Sequence, residues 1–402
     1  MAVSDKTVVF LSYYGHQARL FEPMAEALSG RVNVKHLKVY PLTAERVITW
    51  IFSRDGLDPE TVENITRYYR IKKTLKHPHL HTPRWRARLR RTATEWYRLF
   101  RRKLAGADLL VVWNGFSIPL GSAIAAAKSL GLKTVFCENG VLPGMVAMDP
   151  KGINFANSIS GKPAAFYERI KTDPDRAKEL FGTRLQQRPL RKAVEEVCAH
   201  CDDGKPLPER YALFAMQVHD DTQVVLFSPR FQRLQDAVVY VHDQLAEYNA
   251  RTGDKLQLVV KEHPSDFGRV DYSGLRASLP GVYFMRSKPM SELIPHAQAL
   301  ITLNSAVGVE ALLYHRPVIT LGQAFYNVPG MVRHVGTADN LVDALEESIG
   351  RPVNTELAAK FLYFLRYEYL VPTPRQPDGT ISFDAAAERI LGILYDTLSW
   401  VK

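Results

Sequence analysis

Cysteine is scarce, with three in 402 residues. That count excludes a disulfide-stapled secreted scaffold and fits a reducing compartment. Cys198 and Cys201 form a lone C-x-x-C around His200. With no second pair nearby, it is either a metal or redox pair or a coincidence at a helix end. Long apolar runs are missing as well. None approaches the ~18–20 uninterrupted apolar residues of a membrane span. The opening MAVSDKTVVFLSYYGH enters a strand at once and lacks a signal peptide's cationic start and cleavage site. A cytoplasmic location is therefore expected, at most peripheral on the inner face of a bacterial inner membrane. The first strand is not followed by G-x-G-x-x-G, so a nicotinamide or flavin dinucleotide has no support. No Asp-x-Asp pair stands out, although Asp202-Asp203 and Asp220-Asp221 are adjacent acids. No metal and no cofactor are expected.

Acidic residues are in the minority, 42 against 52 Lys and Arg, for a formal charge of +10. The excess is concentrated between Arg84 and Lys103, where nine Arg or Lys face a single Glu95. Trp85, Leu89, Trp96 and Phe100 recur there at helical spacing. Such a cationic amphipathic helix suits an anionic membrane surface or an acidic acceptor. The competing reading is a solvated helix whose apolar stripe packs on its own domain. No aromatic-and-basic RNA module is recognisable, so nucleic acid is not an expected partner.

What is present is a large α/β pattern. At 46% hydrophobic, the chain buries a sizeable core in two or three domains. Thr7–Ser12, Val32–Val39, Asp108–Trp113 and Lys133–Cys137 read as strands, the last delivering Glu138-Asn139-Gly140 at its carboxyl end. Beyond the polar run 202–206, Tyr211–Met216 and Leu256–Val260 are strands. Ala299–Gly322 is a complete βαβ unit: strand Leu300–Leu303, turn Asn304-Ser305, helix from Val307, strand Val318–Leu321. Its turn sets Asn304, Ser305 and free N–H groups at a helix start, a place that favours phosphate, unless Ser305 is only an N-cap. Glu310 sits about one turn further in, within reach of a ribose. The expected fold is α/β and GT-B-like. Two Rossmann-type domains, 1–201 and 207–375, face a central cleft, and a final helix in 376–402 crosses back to the first domain. Ligands in such sheets bind beyond the carboxyl ends of the strands.

The polar loops resemble, in order, the signatures of the capsule-polysaccharide and O-antigen β-Kdo transferases. Glu138-Asn139-Gly140-Val141-Leu142-Pro143 with Asp149…Gly152-Ile153-Asn154 resembles the first, and Gln217-Val218…Asp221-Thr222-Gln223 the second. Lys261…His263-Pro264 resembles the third. Asn304-Ser305…Gly308 with Arg316-Pro317 and Leu321-Gly322…Tyr326…Pro329-Gly330 resembles the last. One departure is Leu142-Pro143-Gly144, where some members carry Leu-Arg-Pro, and it leaves the acceptor open. The resemblance implies a retaining enzyme that moves Kdo from CMP-Kdo to a glycan or lipid-linked acceptor. It makes the first domain the acceptor side and the second the CMP-sugar side.

That chemistry must neutralise a phosphate and a sugar carboxylate. Lys261, His263 and the Ser305 turn are the expected donor contacts, with Ser228 and Arg230 beside them. Gln217, Asn154, Asn304, Gly308 and Glu310 complete the expected donor site. Retention needs either two inversions or a same-face attack. In the first case Asp221 is the expected nucleophile, with Asp220 its rival, and Glu138 the base for the acceptor hydroxyl. His263 is the third expected catalytic residue. A sialyltransferase-like CMP-sugar enzyme and a non-catalytic polysaccharide- or lipid-binding protein of capsule assembly remain as alternatives.

Overall fold

A computed structural model describes residues 4–39, 56–77, 79, 82–182, 204–376 and 379–401. The chain divides into two compact units, Met1–Ser158 with Tyr369–Lys402, and Ile159–Glu368.

In the first unit, β1 (Thr7–Ser12), β2 (Asn33–Lys38), β3 (Leu109–Trp113) and β4 (Lys133–Asn139) form a parallel sheet in the order β2-β1-β3-β4. β1 and β3 are buried along their whole length, as parallel strands covered on both faces must be. β2 alternates lysines with apolar residues because it is the edge. β5 (Met145–Asp149) pairs antiparallel with β4. The helix Ile118–Ser129 is built from small residues on its buried side, and Ser122 Oγ donates to the Ala93 carbonyl at 3.0 Å. Close approach to the helix Pro83–Lys103 follows from that alanine face.

The second unit holds an all-parallel sheet of β6 (Tyr211–Ala215), β7 (Gln257–Lys261), β8 (Tyr283–Met285), β9 (Ala299–Thr302), β10 (Val318–Thr320) and β11 (Arg333–His334). Their order is β11-β10-β9-β6-β7-β8. Every strand is short, and β6, β9 and β10 are buried along their whole length. The chain then returns to the first unit. β12 (Leu370–Pro372) pairs antiparallel with β5, and the helix Asp384–Leu394 packs beside the helix Gly15–Ala27. These are two Rossmann-like α/β units.

The unit boundary differs from the expected one at 201–207. Residues after Ser158 join the second unit because Tyr167 is enclosed by Phe361 and Phe364, with ring centroids at 5.1 and 5.7 Å. The return begins at Tyr369, before residue 376. Cys198, His200, Cys201, Asp202 and Asp203 lie outside the described residues. No described helix is long and apolar enough to cross a membrane.

The structure decides where the apolar stripe of the basic helix goes. Thr82 caps Pro83–Lys103 by accepting from the Trp85 N–H, and Leu89, Trp96 and Phe100 are buried in the unit's own core. Trp96 stacks on Phe100 at 5.6 Å and is 2% exposed. The apolar stripe is thus spent on the domain and is not presented to a bilayer; burial of an aromatic against helix and sheet outweighs a shallow interfacial contact. Arg84, Arg86, Arg88, Arg90 and Arg91 remain on the exposed face. Trp96→Ala therefore lowers stability by about 3–5 kcal/mol in chemical denaturation, while Arg88→Ala changes it by less than about 0.5 kcal/mol. Near-equal effects would place the tryptophan outside the core.

Candidate active site

Register brings the second unit's polar residues together. Ala215 on β6 lies beside Lys261 on β7 and Thr302 on β9. Two residues further on, His263, Gln217 and Asn304 leave the sheet along one edge, the carboxyl edge. Gln217 and Asn304 clasp each other there. Gln217 Nε2 donates to Asn304 Oδ1 at 3.0 Å, and the Asn304 N–H donates to Gln217 Oε1 at 3.1 Å. Asn304 Nδ2 donates to the carbonyls of Gln223 and Phe227 at 3.0 and 3.1 Å. Both amides are buried and hold each other, so they frame the site.

That frame holds the helix Thr222–Phe227, whose N-cap is Asp221. Asp221 Oδ1 accepts from the Gln223 N–H at 2.7 Å and from Thr222 Oγ1 at 3.4 Å. Oδ2 carries no hydrogen bond among the described residues. Burial raises the Asp221 carboxyl above its ordinary range, against the pull of those donors and of His263. Asp220 is placed differently. Its carboxylate is buried and receives Arg269 Nη2 at 3.1 Å, with His219 Nε2 at 3.8 Å from its other oxygen. Between the two rival acids, the structure leaves only Asp221 with an uncommitted oxygen.

His263 sits one strand away. Its Nδ1 accepts from the Ser265 N–H at 3.1 Å, which puts the ring proton on Nε2. Burial lowers its pKa, more than the nearby Asp266 and Asp221 raise it, so the ring is a neutral Nε2–H donor at pH 7. Asp266 is a residue that the sequence did not single out. It is buried and accepts from the His219 N–H at 2.8 Å, with His219 Nδ1 at 2.9 Å and Tyr272 Oη at 3.3 Å. It stiffens the loop that ends in Asp221. Nothing in the sequence marks it beyond its place three residues after His263.

Several expected donor contacts have other work. Lys261 is buried with Nζ on the carbonyls of Arg286 at 2.6 Å and Glu262 at 3.3 Å. Arg230 donates to the carbonyls of Gly336 and Asp339 at 3.3 and 3.2 Å and lies 4.5 Å over the Tyr240 ring. Ser228 is fully buried, and its Oγ has no partner among the described residues. Gly308 is a glycine because a Cβ there would strike the buried ring of Tyr326. The helix after Ser305 is Val307–Leu313, capped by Ala306, and Ser305 Oγ accepts from the Val307 N–H at 3.3 Å. Ser305 is therefore a turn residue one step before the cap, and its carbonyl accepts from Tyr326 Oη. Glu310, on that short helix, has no hydrogen bond among the described residues, and burial alone raises its pKa to about 7.

In the first unit, Trp113 lies beside Cys137, which sets Asn114 next to Glu138. Asn114 Nδ2 donates to Glu138 Oε2 at 2.9 Å, and the Asn139 N–H donates to Oε1 at 2.9 Å. Asn114 and Gly115 are consecutive left-handed residues with φ +66° and +94°. Such backbone outliers gather where a loop must aim a functional group. Asn154, φ +55°, opens a 3-10 turn in a loop anchored by Asp149. That fully buried carboxylate accepts from the Lys151, Gly152 and Ser158 N–H groups, from Ser158 Oγ at 2.6 Å and from Tyr369 Oη at 3.2 Å. The Asp149…Asn154 pattern is thus a loop anchor.

Residues 167–366, nearly all of the second unit, match the family model described as "Capsule polysaccharide biosynthesis protein". That segment, just under half of the chain, resembles the capsule polysaccharide biosynthesis family. Protein FixF of Sinorhizobium fredii is 35% identical over 266 residues, covering 65% of this chain and 60% of FixF. The capsule polysaccharide export protein KpsS of Escherichia coli is 30% identical over 132 residues, 31% of this chain and 33% of KpsS. The chain thus spans less than two thirds of these relatives' length. Among solved structures, the KpsC β-Kdo 2,7 transferase of Thermosulfurimonas dismutans covers 98% of this chain and 100% of its own, with 14% identity and a TM-score of 0.48.

Glu310 gives the family-matching unit a pH signature. A carboxyl raised from the ordinary 4.5 to about 7 favours the folded state fully below pH 4.5, and that contribution is lost as the pH rises through 7. Between pH 5 and 8 the parent should lose on the order of 3 kcal/mol relative to Glu310→Gln, followed by urea unfolding at each pH. Parallel pH profiles for the two chains would contradict the burial of an unpaired carboxyl.

Proposed function

We propose that this chain is a retaining glycosyltransferase that moves Kdo from CMP-Kdo to a glycan or glycolipid acceptor in capsule or O-antigen synthesis. The observation that carries it is Asp221: a half-buried carboxylate with one oxygen unpartnered among the described residues, at the carboxyl edge of the family-matching unit, beside a neutral histidine. Asp221 Oδ2 attacks the anomeric carbon of Kdo as the bond to CMP breaks, and the departing phosphate takes the electron pair. The Nε2–H of His263 and the turn bearing Ser305 stabilise that negative charge. In the second half, Glu138 takes the proton from an acceptor hydroxyl. The hydroxyl oxygen then attacks the same carbon and displaces Asp221, so two inversions give net retention. CMP is a good leaving group, and the scheme calls for no metal.

The relative named as an export protein favours a second reading, a non-catalytic component that binds polysaccharide. Release of CMP from the donor separates the two, and the sugar accepted separates Kdo from sialic acid.

Asp221→Asn should keep the fold and lose turnover by several orders of magnitude, because an amide is a poor nucleophile. Intact-protein mass spectrometry of the parent with donor and no acceptor should show one added Kdo on the peptide holding Gln217–Arg230. Full activity in Asp221→Asn, or an adduct on another peptide, rules the assignment out.

We further propose that the exposed arginines of the helix Pro83–Lys103 draw the enzyme to an anionic membrane or a lipid-linked acceptor by charge alone. Each such charge contributes ~1 kcal/mol near the surface and is screened by salt. Flotation with anionic vesicles should fall roughly a hundredfold in Arg84→Ala/Arg88→Ala/Arg90→Ala. Equal binding to neutral vesicles would defeat the idea.

A further inference from the structure

Aromatic residues crowd the carboxyl edge of the first unit's sheet, and the reaction above leaves them unused. Tyr13 and Tyr14 follow β1, and Phe116 follows β3. Tyr68, on the helix Pro59–Lys76, lies 6.5 Å from the Phe116 ring, and Lys72 Nζ donates to its hydroxyl at 3.1 Å. Strand register fixes where this cluster stands. Leu11 pairs with Val112, and Trp113 with Cys137, so Tyr13, Asn114 and Glu138 take successive places along one edge. With ~4.8 Å between neighbouring strands, the backbones of Tyr13 and Glu138 are about 10 Å apart.

Tyr14 is the outward member, 50% exposed. Its ring lies parallel to His16, 10° between planes and 5.7 Å between centroids, with Tyr13 edge-on at 4.7 Å. The backbone beneath it is fixed. Gln17, itself buried, accepts through Oε1 from the N–H groups of Tyr13 at 2.8 Å and Tyr14 at 3.2 Å. A half-exposed ring on an immobilised backbone has little ordering left to lose when a ligand stacks on it. Its negative face suits the polarised C–H face of a sugar ring.

We propose that Tyr14, backed by Tyr13 and His16, is a stacking platform for a pyranose ring of the acceptor, and that it sets the acceptor hydroxyl along the sheet edge toward Glu138. The platform rests on the transferase reading for its purpose, but not for its detection.

Saturation-transfer difference NMR on the full chain, with methyl β-D-galactopyranoside and methyl α-D-glucopyranoside as probes, needs no donor. Ring C–H signals should appear with the parent and persist in Tyr14→Phe, which keeps the ring face. They should fall at least fivefold in Tyr14→Ala and stay unchanged in Tyr69→Ala, an exposed tyrosine outside the cluster. Undiminished signals in Tyr14→Ala, equal loss in Tyr14→Phe, or no signal with the parent would overturn the platform. A chain that saturates the glycosides through Tyr14 yet never consumes CMP-Kdo keeps the platform and removes the transferase reading.

Discussion

The reciprocal clasp of Gln217 and Asn304 is the constraint on which the second unit's site depends. Two buried amides satisfy each other and two further carbonyls, joining the ends of β6 and β9 to the helix Thr222–Phe227. A buried amide left unpaired costs about 1–3 kcal/mol, so the network is all or none. Because it is complete, the start of that helix has one position, and Asp221, its cap, has one direction. The same burial raises that carboxyl's pKa, and one of its oxygens has no donor among the described residues.

The first unit solves a parallel problem with backbone conformation. Asn114 takes a left-handed φ so that its amide can reach Glu138, and Gly115 continues the turn. Asp149 then ties the loop 151–158 and Tyr369 to the end of β5 through five donors. Both points where the chain passes between units therefore start from residues held by one buried carboxylate. Charged and polar groups are few in these interiors, and most are matched, as the cost of burying an unpartnered group requires; Ser228 Oγ and Glu310 are exceptions.

The strands, their order along the chain and the polar loops at their carboxyl ends were legible from hydrophobic runs, because parallel strands must be apolar on both faces. So was the basic helix, from its period. The two-residue β11 and three-residue β8 were not, since runs that short carry no periodic signal. Thr222–Phe227 is a helix although TQVVLF carries two β-branched valines; its cap and its anchorage to Asn304 override local propensity.

By itself, the sequence determined the α/β class and the two Rossmann-like units, and it marked Glu138, Asp221 and His263 as candidates for the chemistry. Only the tertiary structure decided which neighbours occupy each polar group. Lys261 and Arg230 are spent on carbonyls, Gly308 makes room for Tyr326, and the aromatic stripe of the basic helix is buried in its own core. Residue type and spacing say what a side chain can do. Its hydrogen bonds and burial depend on segments tens to hundreds of residues away, and those partners exist only once the sheets have formed.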